Sequence, residues 1–156
     1  MITIKKSATA DTRSAKEPVS KETLLASSYQ HISDVHQAIN WMQSELIDRA
    51  IHHDWTKIKS IDEFHRDFVD VQQNPGKDFC RLGWYQRHIT EERHHLDKRV
   101  PDDVDLFDVM ERIADIVMAG MGRSGSVYPD HLSPELLCRA YQNTIDKLKS
   151  QIKVEE

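Results

Sequence analysis

The clearest helical pattern of the 156-residue chain is VDLFDVMERIADIVMAG, at residues 104–120. At 100° per residue, its polar side chains fall within one arc of about 100°, and apolar side chains cover most of the remaining circumference. The polar stripe consists of Asp108, Glu111, Arg112 and Asp115. This pattern predicts a helix that is buried on most sides and whose polar stripe borders a cavity, with Asp115 deepest in apolar surroundings. The glycine-rich sequence GMGRSG that follows predicts the end of the helix.

Other segments also show the three-and-four spacing of helices, and none has the sustained period of two that is expected of a strand. Predicted helices cover residues 24–51, as two helices or one bent helix, a segment from residue 60 to the Pro75-Gly76 turn, and residues 78–92 and 134–152. Ser133 and Pro134 suit the N-cap and the first position of the last helix. The sequence therefore predicts an all-α fold, a compact single-domain bundle of about five to six helices.

The first 20 residues differ in composition from the rest of the chain. They are rich in Ser, Thr, Ala and Lys, contain Pro18 and show no apolar period. Such a segment has little apolar surface to bury. We expect residues 1–20 to form a flexible N-terminal arm and residues 21–153 to form one helical domain, a length that supports a single core.

Composition and charge exclude several classes of protein. The net charge of −5 offers no basic surface for phosphate backbones, so no dedicated nucleic-acid binding is expected. Cys80 and Cys138 are far apart and form no CxxC motif, which indicates reduced cysteines. No apolar run approaches the ~20 residues of a membrane-spanning helix, and the N-terminus lacks the apolar segment of a signal peptide. We therefore expect a cytoplasmic protein without membrane contact.

Histidines and aspartates occur in an order that is typical of a metal site. The residues with this order are His53 and Asp54 in HHDWTK, then His88, the pair His94-His95, and Asp115. Imidazole and carboxylate ligands together suit Zn²⁺, Mn²⁺ or iron. Lys57 follows His53 and Asp54 within one turn and offers a cation for a phosphate oxygen. A lone histidine is more often a surface or hydrogen-bonded residue, and we assign His36, His52, His65 and His131 to that group.

At these residues the chain resembles the HD-domain superfamily of metal-dependent phosphohydrolases, which are all-helical. The matching segments are YQHISDV at His31, HHDWTK, HITEERHHL and ERIADIVMAG. The continuation HDWTKIKSIDEF resembles more closely a group of small HD-like proteins encoded by tailed phages. The resemblance covers about residues 29–148 and implies an HD-like helical metal-binding domain, in the host cytoplasm if the protein is phage-encoded.

The resemblance also implies roles for individual residues. His31, His53, Asp54 and Asp115 would hold a first ion, and Asp54 would bridge to a second ion held by His88, His94 and His95. The ions would be divalent transition metals: Mn, Fe, Zn, Co or Ni. Lys57 and Arg93 would neutralise phosphate charge, and Glu92 would act as a general acid or orient a ligand histidine. Because His31 lies only 22 residues before His53, His36 competes with it as the first ligand, and one ion or two remain open.

Two hypotheses of different class follow. In the first, the chain is a hydrolase of a small phosphorylated substrate, a nucleotide by analogy with the family, and acts as a nucleotidase or phosphodiesterase. In the second, it is a non-catalytic, metal-stabilised interaction or regulatory protein of a phage. Seven candidate ligands exceed the four that a structural zinc needs, which favours the enzyme. Apolar Met118, Met121 and Val127 either cover a partner, such as a second copy of the chain, or close the core.

Overall fold

A computed structural model describes residues 1–6 and 15–155, and most of these residues are helical. The α-helices are α1 Lys21–His52, α2 Trp55–Lys59, α3 Ile61–Gln73, α4 Gly83–Glu91, α5 Leu106–Ser124 and α6 Pro134–Ser150, with a 3₁₀ turn at Phe79–Arg81. The predicted all-α class is confirmed. None of the described helices combines the length and the apolar composition that crossing a membrane requires.

Two short strands were not predicted from the sequence. Strand β1, Ile2–Lys5, pairs in parallel with β2, Ile152–Glu155, and Ile2 lies opposite Ile152. The first strand falls within the predicted arm, whose residues 7–14 lie outside the described residues. Four residues are too few to establish a period of two, and the pairing joins segments about 150 residues apart in sequence, so no local signal predicts it.

The described residues form two compact units. The first contains Met1–Leu46 and Ile145–Glu156, and the second contains Ile47–Thr144. Within the first unit, Gln30 of α1 donates a hydrogen bond to the Lys5 carbonyl of β1 at 2.8 Å, and Lys147 forms an ion pair with Glu45 at 2.6 Å. Every predicted site residue except His31 lies in the second unit.

The core of the second unit lies beneath α5 and α6. Its buried members are Leu96, Val104, Val109, Leu136 and Ala140. A capping box begins α5, because the Asp105 and Asp108 side chains each accept from the other residue's backbone N–H. The helix runs through Gly120 to Ser124 and ends where Gly125 adopts the left-handed conformation.

The orientation of α5 corrects one expectation. Asp108 is fully buried and Arg112 is buried, whereas Met110 and Ile113 on the other side of the helix are about half exposed. Asp115, expected to be deepest, keeps 29% of its side-chain surface exposed. The buried side of α5 is therefore not the side with most of its apolar residues, because the polar stripe contacts charged partners inside the unit.

The predicted helix at 78–92 is interrupted. Leu82 adopts an extended conformation between the 3₁₀ turn and α4, so the helical hydrogen bonds stop there. Phe64 of α3 stacks on Trp84 at 3.9 Å between ring centroids, and Trp84 stacks in turn on His88 at 4.9 Å. These stacked rings fix the face of α4 that carries His88.

Candidate metal centre

A sharp turn between α1 and α2 forms the centre of the site. Helix α1 ends at His52, Asp54 adopts a left-handed conformation with φ 55°, and α2 begins at Trp55. Among the described residues, Asp54 is the only non-glycine with positive φ. Aspartate tolerates this conformation better than most residues, yet it still costs about 1 kcal/mol or more. The turn brings the side chains of two consecutive residues together, with His53 Nε2 3.5 Å from Asp54 Oδ2.

Further ring nitrogens converge on the Asp54 carboxylate. Its Oδ1 lies 3.5 Å from His88 Nε2 and 3.7 Å from His94 Nε2. On the other side, His53 Nε2 lies 3.7 Å from Asp115 Oδ1. These separations are long for hydrogen bonds, but two ligands of one ion at about 2.1 Å lie roughly 3.0–3.5 Å apart. His95 Nε2 completes the group at 2.8 Å from His88 Nε2.

Two buried polar atoms at this centre have no hydrogen-bond partner among the described residues. They are Asp54 Oδ1 and His94 Nε2, the same two atoms that face each other at 3.7 Å. Leaving a buried donor or acceptor unsatisfied costs about 1–3 kcal/mol. A cation between them would satisfy both, so the donor set fits a divalent transition metal.

The described residues contain three groups able to hold a metal ion. They are His53, Asp54 and Asp115; Asp54, His88 and His95; and His53, His94 and Glu111. Asp54 belongs to two of the groups, which fits either one ion or two ions bridged by its carboxylate. The structure thus brings together six of the seven predicted ligands.

His31 is the seventh, and the metal-binding groups do not include it. It lies on α1 in the first unit with an exposed side chain. His36, the competing candidate, is also an exposed residue of α1 in that unit and is likewise absent from the groups. The candidate ligands that lie together in the structure therefore include neither His31 nor His36.

Glu111 is a residue of the site whose role the sequence did not reveal. Its Oε1 lies 2.9 Å from His53 Nδ1 and 3.0 Å from His94 Nδ1. A carboxylate that accepts from Nδ1–H leaves the Nε2 lone pair free to bind a metal. Glu111 precedes Asp115 by one helical turn on the polar stripe of α5, and this spacing is the signal that could have predicted it.

Thr56 orients a third imidazole. Its Oγ1 lies 2.6 Å from His88 Nδ1, and its backbone N–H donates to Glu92 Oε1 at 2.8 Å. Glu92 is buried and thus holds the first turn of α2, which carries Thr56. Through this bond Glu92 acts on Thr56 and not directly on His88, and its predicted role stays a prediction.

Burial shapes the protonation of the histidines. Burial, reinforced by the neighbouring imidazole of His95, lowers the pKa of His88 to about 4. Burial and the charge of His94 likewise lower the pKa of His95 to about 4. Both rings are therefore neutral at pH 7, the state that binds metals.

The carboxylates at the centre are held in the ionised form. Burial opposes ionisation of Glu111, but hydrogen bonds from His94 and His53 outweigh it and lower the pKa of that carboxyl. Burial also opposes ionisation of Asp54, and there the hydrogen bond and charge of Lys57 lower the pKa. The centre therefore combines negative carboxylates with the neutral imidazoles of His88 and His95. Burial opposes protonation of His94, but the hydrogen bond and the charge of Glu111 outweigh it and raise the pKa of that imidazole. The carboxylates give the centre the negative charge that attracts a cation.

Lys57 lies on the accessible side of the centre and forms an ion pair with Asp54 Oδ2. About a third of its side chain is exposed, as for His53 and Asp115, whereas His88 and His94 are almost fully buried. The centre is therefore closed at His88 and His94 and open along His53, Lys57 and Asp115. A substrate would reach it from that side.

Arg93 binds protein carboxylates. It donates to both Asp108 carboxylate oxygens at 2.8 Å and to Asp103 Oδ1 at 3.0 Å. Asp108 also pairs with Arg49 at 3.0 Å. These bonds attach the chain after α4 to the first turn of α5, and so help to position His94 next to Glu111.

Comparisons of the chain with protein-family models, with curated proteins and with solved structures found no match. The resemblance to HD-domain proteins stays a prediction. A function can therefore be assigned only on the residues of the metal centre.

Proposed function

We propose that the chain is a metal-dependent phosphohydrolase of the HD type, which cleaves a phosphoester of a nucleotide or a similar small phosphorylated compound. The observation that carries the proposal is a pair of buried atoms, Asp54 Oδ1 and His94 Nε2, that have no hydrogen-bond partner in the described part of the chain and lie within a group of oriented imidazoles. The three imidazoles of His53, His88 and His94 are each held at Nδ1, so their Nε2 atoms are available as ligands.

The ligand types favour Mn, Fe, Co, Ni or Zn over Mg or Ca, because nitrogen ligands predominate. A structural zinc site is closed by four ligands. Here seven residues can contribute and one side of the centre is open, which supports a catalytic site with one or two ions.

A bound divalent cation would lower the pKa of a water molecule towards ~7 and polarise a phosphoryl oxygen. The residues of the chain supply the rest. Lys57 places a positive charge at the open side, where it can neutralise a phosphate oxygen. Glu111 and Thr56 hold the imidazoles in place during the reaction. Hydrolysis of phosphoesters depends mostly on such positioning and charge stabilisation.

Trp55 supports a substrate with an aromatic group. It follows Asp54 directly, and about half of its surface is exposed. An exposed indole that follows Asp54 directly in sequence offers a stacking surface for a nucleobase. This placement is the reason for preferring a nucleotide over a simple phosphate ester.

The test combines metal analysis with hydrolysis of a nucleotide panel in the presence of Mn²⁺, Fe²⁺, Co²⁺, Ni²⁺ or Zn²⁺. Asp54→Asn keeps the size and the left-handed turn but removes the charge, and we expect it to lower both metal content and turnover more than ~100-fold. His52→Ala is the matched control, since His52 adjoins His53 but is exposed and bonds to the Asp48 carbonyl. That control should retain metal and activity.

Each outcome has a defined meaning. Purified protein without a transition metal, or with turnover unchanged by Asp54→Asn, would overturn the proposal. Stoichiometric metal without hydrolysis of any tested phosphoester would instead favour the second hypothesis, a metal-stabilised interaction protein.

A further inference from the structure

In the first unit, α1 exposes its apolar side. The exposed fractions of Leu25, Ile32, Val35 and Ile39 are 50%, 61%, 41% and 55%. The opposite side of the helix is polar and less exposed: Ser27 is buried, and Gln30, Asp34 and Gln37 are partly buried. Because Gln30 also donates to the Lys5 carbonyl, the polar side of α1 is the one that packs within the unit. This arrangement reverses the usual orientation of an amphipathic helix.

The apolar side chains on this side of α1 follow a heptad repeat, of which the first four members are exposed and the last two, Met42 and Leu46, are partly buried. Apolar residues recur every seven positions at Leu25, Ile32, Ile39 and Leu46, and Val35 and Met42 occupy the intervening positions three residues after Ile32 and Ile39. We call these six residues the α1 seam. A repeat of 3.5 residues kept over three heptads is typical of a helix that packs along a second helix.

The same stretch carries almost no charge. Between Glu22 and Glu45 the only charged residue is Asp34, apart from His31 and His36, and Asp34 lies on the side opposite the seam. About a quarter of the residues of a soluble protein are normally charged. A long helical side with apolar residues and no charge is suited to contact with protein and not with water.

A second copy of the chain is the occupant that fits the seam. Residues 7–14, SATADTRS, contain no large apolar side chain that could cover it. A helix with a matching heptad repeat would cover the seam, and a second copy of the chain supplies one. The positions that flank the seam hold no Lys, Arg or Asp and no Glu before Glu45, so two copies can approach without repulsion between like charges.

The α1 seam runs from Leu25 to Leu46, which corresponds to about 33 Å of helix. A strip about 10 Å wide along this length covers about 330 Å² per copy, or roughly 660 Å² for two, which is the size of a weak, reversible interface. We infer that two copies of the chain pair reversibly through the α1 seam to form a homodimer.

The test is the solution mass of the full chain, measured by light scattering and sedimentation from nanomolar to high micromolar concentration. We expect about twice the 18.1 kDa of one chain, with dissociation on dilution. The double variant Ile32→Glu and Ile39→Glu should be monomeric throughout this range. The matched control, Ser33→Glu and Asn40→Glu, adds the same charges to exposed positions one residue outside the seam and should remain dimeric.

Three results would overturn the inference. They are a wild-type chain that is monomeric at every concentration, a seam variant that stays dimeric, and a control variant that dissociates as readily as the seam variant. Circular dichroism of each variant checks that α1 stays helical. The dilution series of the wild-type chain tests the inference even if the seam variant fails to fold.

Discussion

At the candidate metal centre, each of three imidazoles has its Nδ1 atom held by a neighbouring side chain, which leaves its Nε2 atom available to a metal. Glu111 holds Nδ1 of His53 and of His94, and Thr56 holds Nδ1 of His88. If a metal is bound by the Nε2 atoms, the geometry of the ligands therefore depends on Glu111 and Thr56, which hold the opposite ring nitrogens. Substitutions of Glu111 and Thr56 therefore test how much the orientation of the imidazoles adds to metal affinity while the imidazoles themselves are kept.

Glu111→Gln should weaken metal binding by about 10–100-fold, because the amide keeps the size but loses the charge that orients two imidazoles. Competition with a chromogenic chelator measures the affinity. Glu135→Gln, a change at an exposed carboxylate of α6, is the control and should bind metal like the wild type. Equal affinities of Glu111→Gln and wild type would show that Glu111 does not orient the ligands.

Thr56→Val should also weaken metal binding, by about tenfold, because it removes the hydroxyl that holds His88 Nδ1. The backbone bond from Thr56 to Glu92 is retained, so α2 should still form. Thr56→Ser restores the hydroxyl and should recover the affinity. If serine and valine behave alike in the chelator competition, the hydroxyl has no orienting role.

Among single residues, the sequence indicated ligands better than the residues that hold them. Adjacent His53 and Asp54 followed by further histidines form a recognisable order, and these residues do lie together. Glu111 has no such signature, because a carboxylate in a polar stripe looks the same whether it faces water or an imidazole. His31 matched a motif of the resemblance, but motif order alone does not place a side chain within a metal-binding group.

Helix α5 shows what an apolar pattern predicts at the scale of an element. The period of 3.6 residues correctly predicted a helix, since period reports secondary structure. It did not predict the buried side, because Arg93 and Arg49 pair with Asp108 and make burial of the polar stripe favourable. The predicted end of the helix within GMGRSG agrees with the structure, in which α5 stops at Ser124 before Gly125.

Gly120 lies within α5 because the following loop passes close to it. A Cβ atom there would lie 2.5 Å from the Ser126 carbonyl oxygen and 2.8 Å from the Tyr128 backbone nitrogen. Gly120→Ala should therefore lower the free energy of unfolding by about 1–3 kcal/mol, as overpacking does. Urea denaturation measures this change.

Gly122 is the matched control in the same helix, because a Cβ atom there would meet no atom within 4 Å. Gly122→Ala should raise the free energy of unfolding by about 0.5–1 kcal/mol, since alanine favours the helix. A loss of stability in both variants would mean that the close approach of the loop does not explain the effect at Gly120.

At the scale of the whole chain, the candidate metal centre brings together distant segments of the second unit. Its candidate ligands come from the turn between α1 and α2, from α4, from the segment after α4 and from α5. A ligand that binds only the folded state stabilises it by about 2.7 kcal/mol at 100 times its Kd. Removal of metal by a chelator should therefore lower the melting temperature.

Differential scanning fluorimetry with and without EDTA measures this shift, and Asp54→Asn provides the control because it should show almost none. An identical shift in the variant would place the metal elsewhere. A wild-type melting temperature that is insensitive to EDTA and to added metal would contradict a role of these ligands in stability.

The all-α class followed from helical periods along most of the chain, whereas the contact between the first and last strands did not. That pairing depends on tertiary structure, and residues 2–5 and 152–155 contain no turn or repeat from which it could be predicted. Similarly, the apolar spacing in α1 fits both a helix that buries its apolar side within its own unit and a helix that exposes that side. Only the exposure seen in the structure distinguishes these alternatives.

The parallel pairing of β1 and β2 has a mechanical consequence. Pulling on the chain before Ile2 and after Glu155 drives the two strands past each other along their length. The bonds from Ile2 to Gln151 and from Lys6 to Glu155, at opposite ends of the ribbon, are then strained at the same moment. Tension is thus shared across the ribbon in shear, and its bonds must break together instead of opening one after another like a zip.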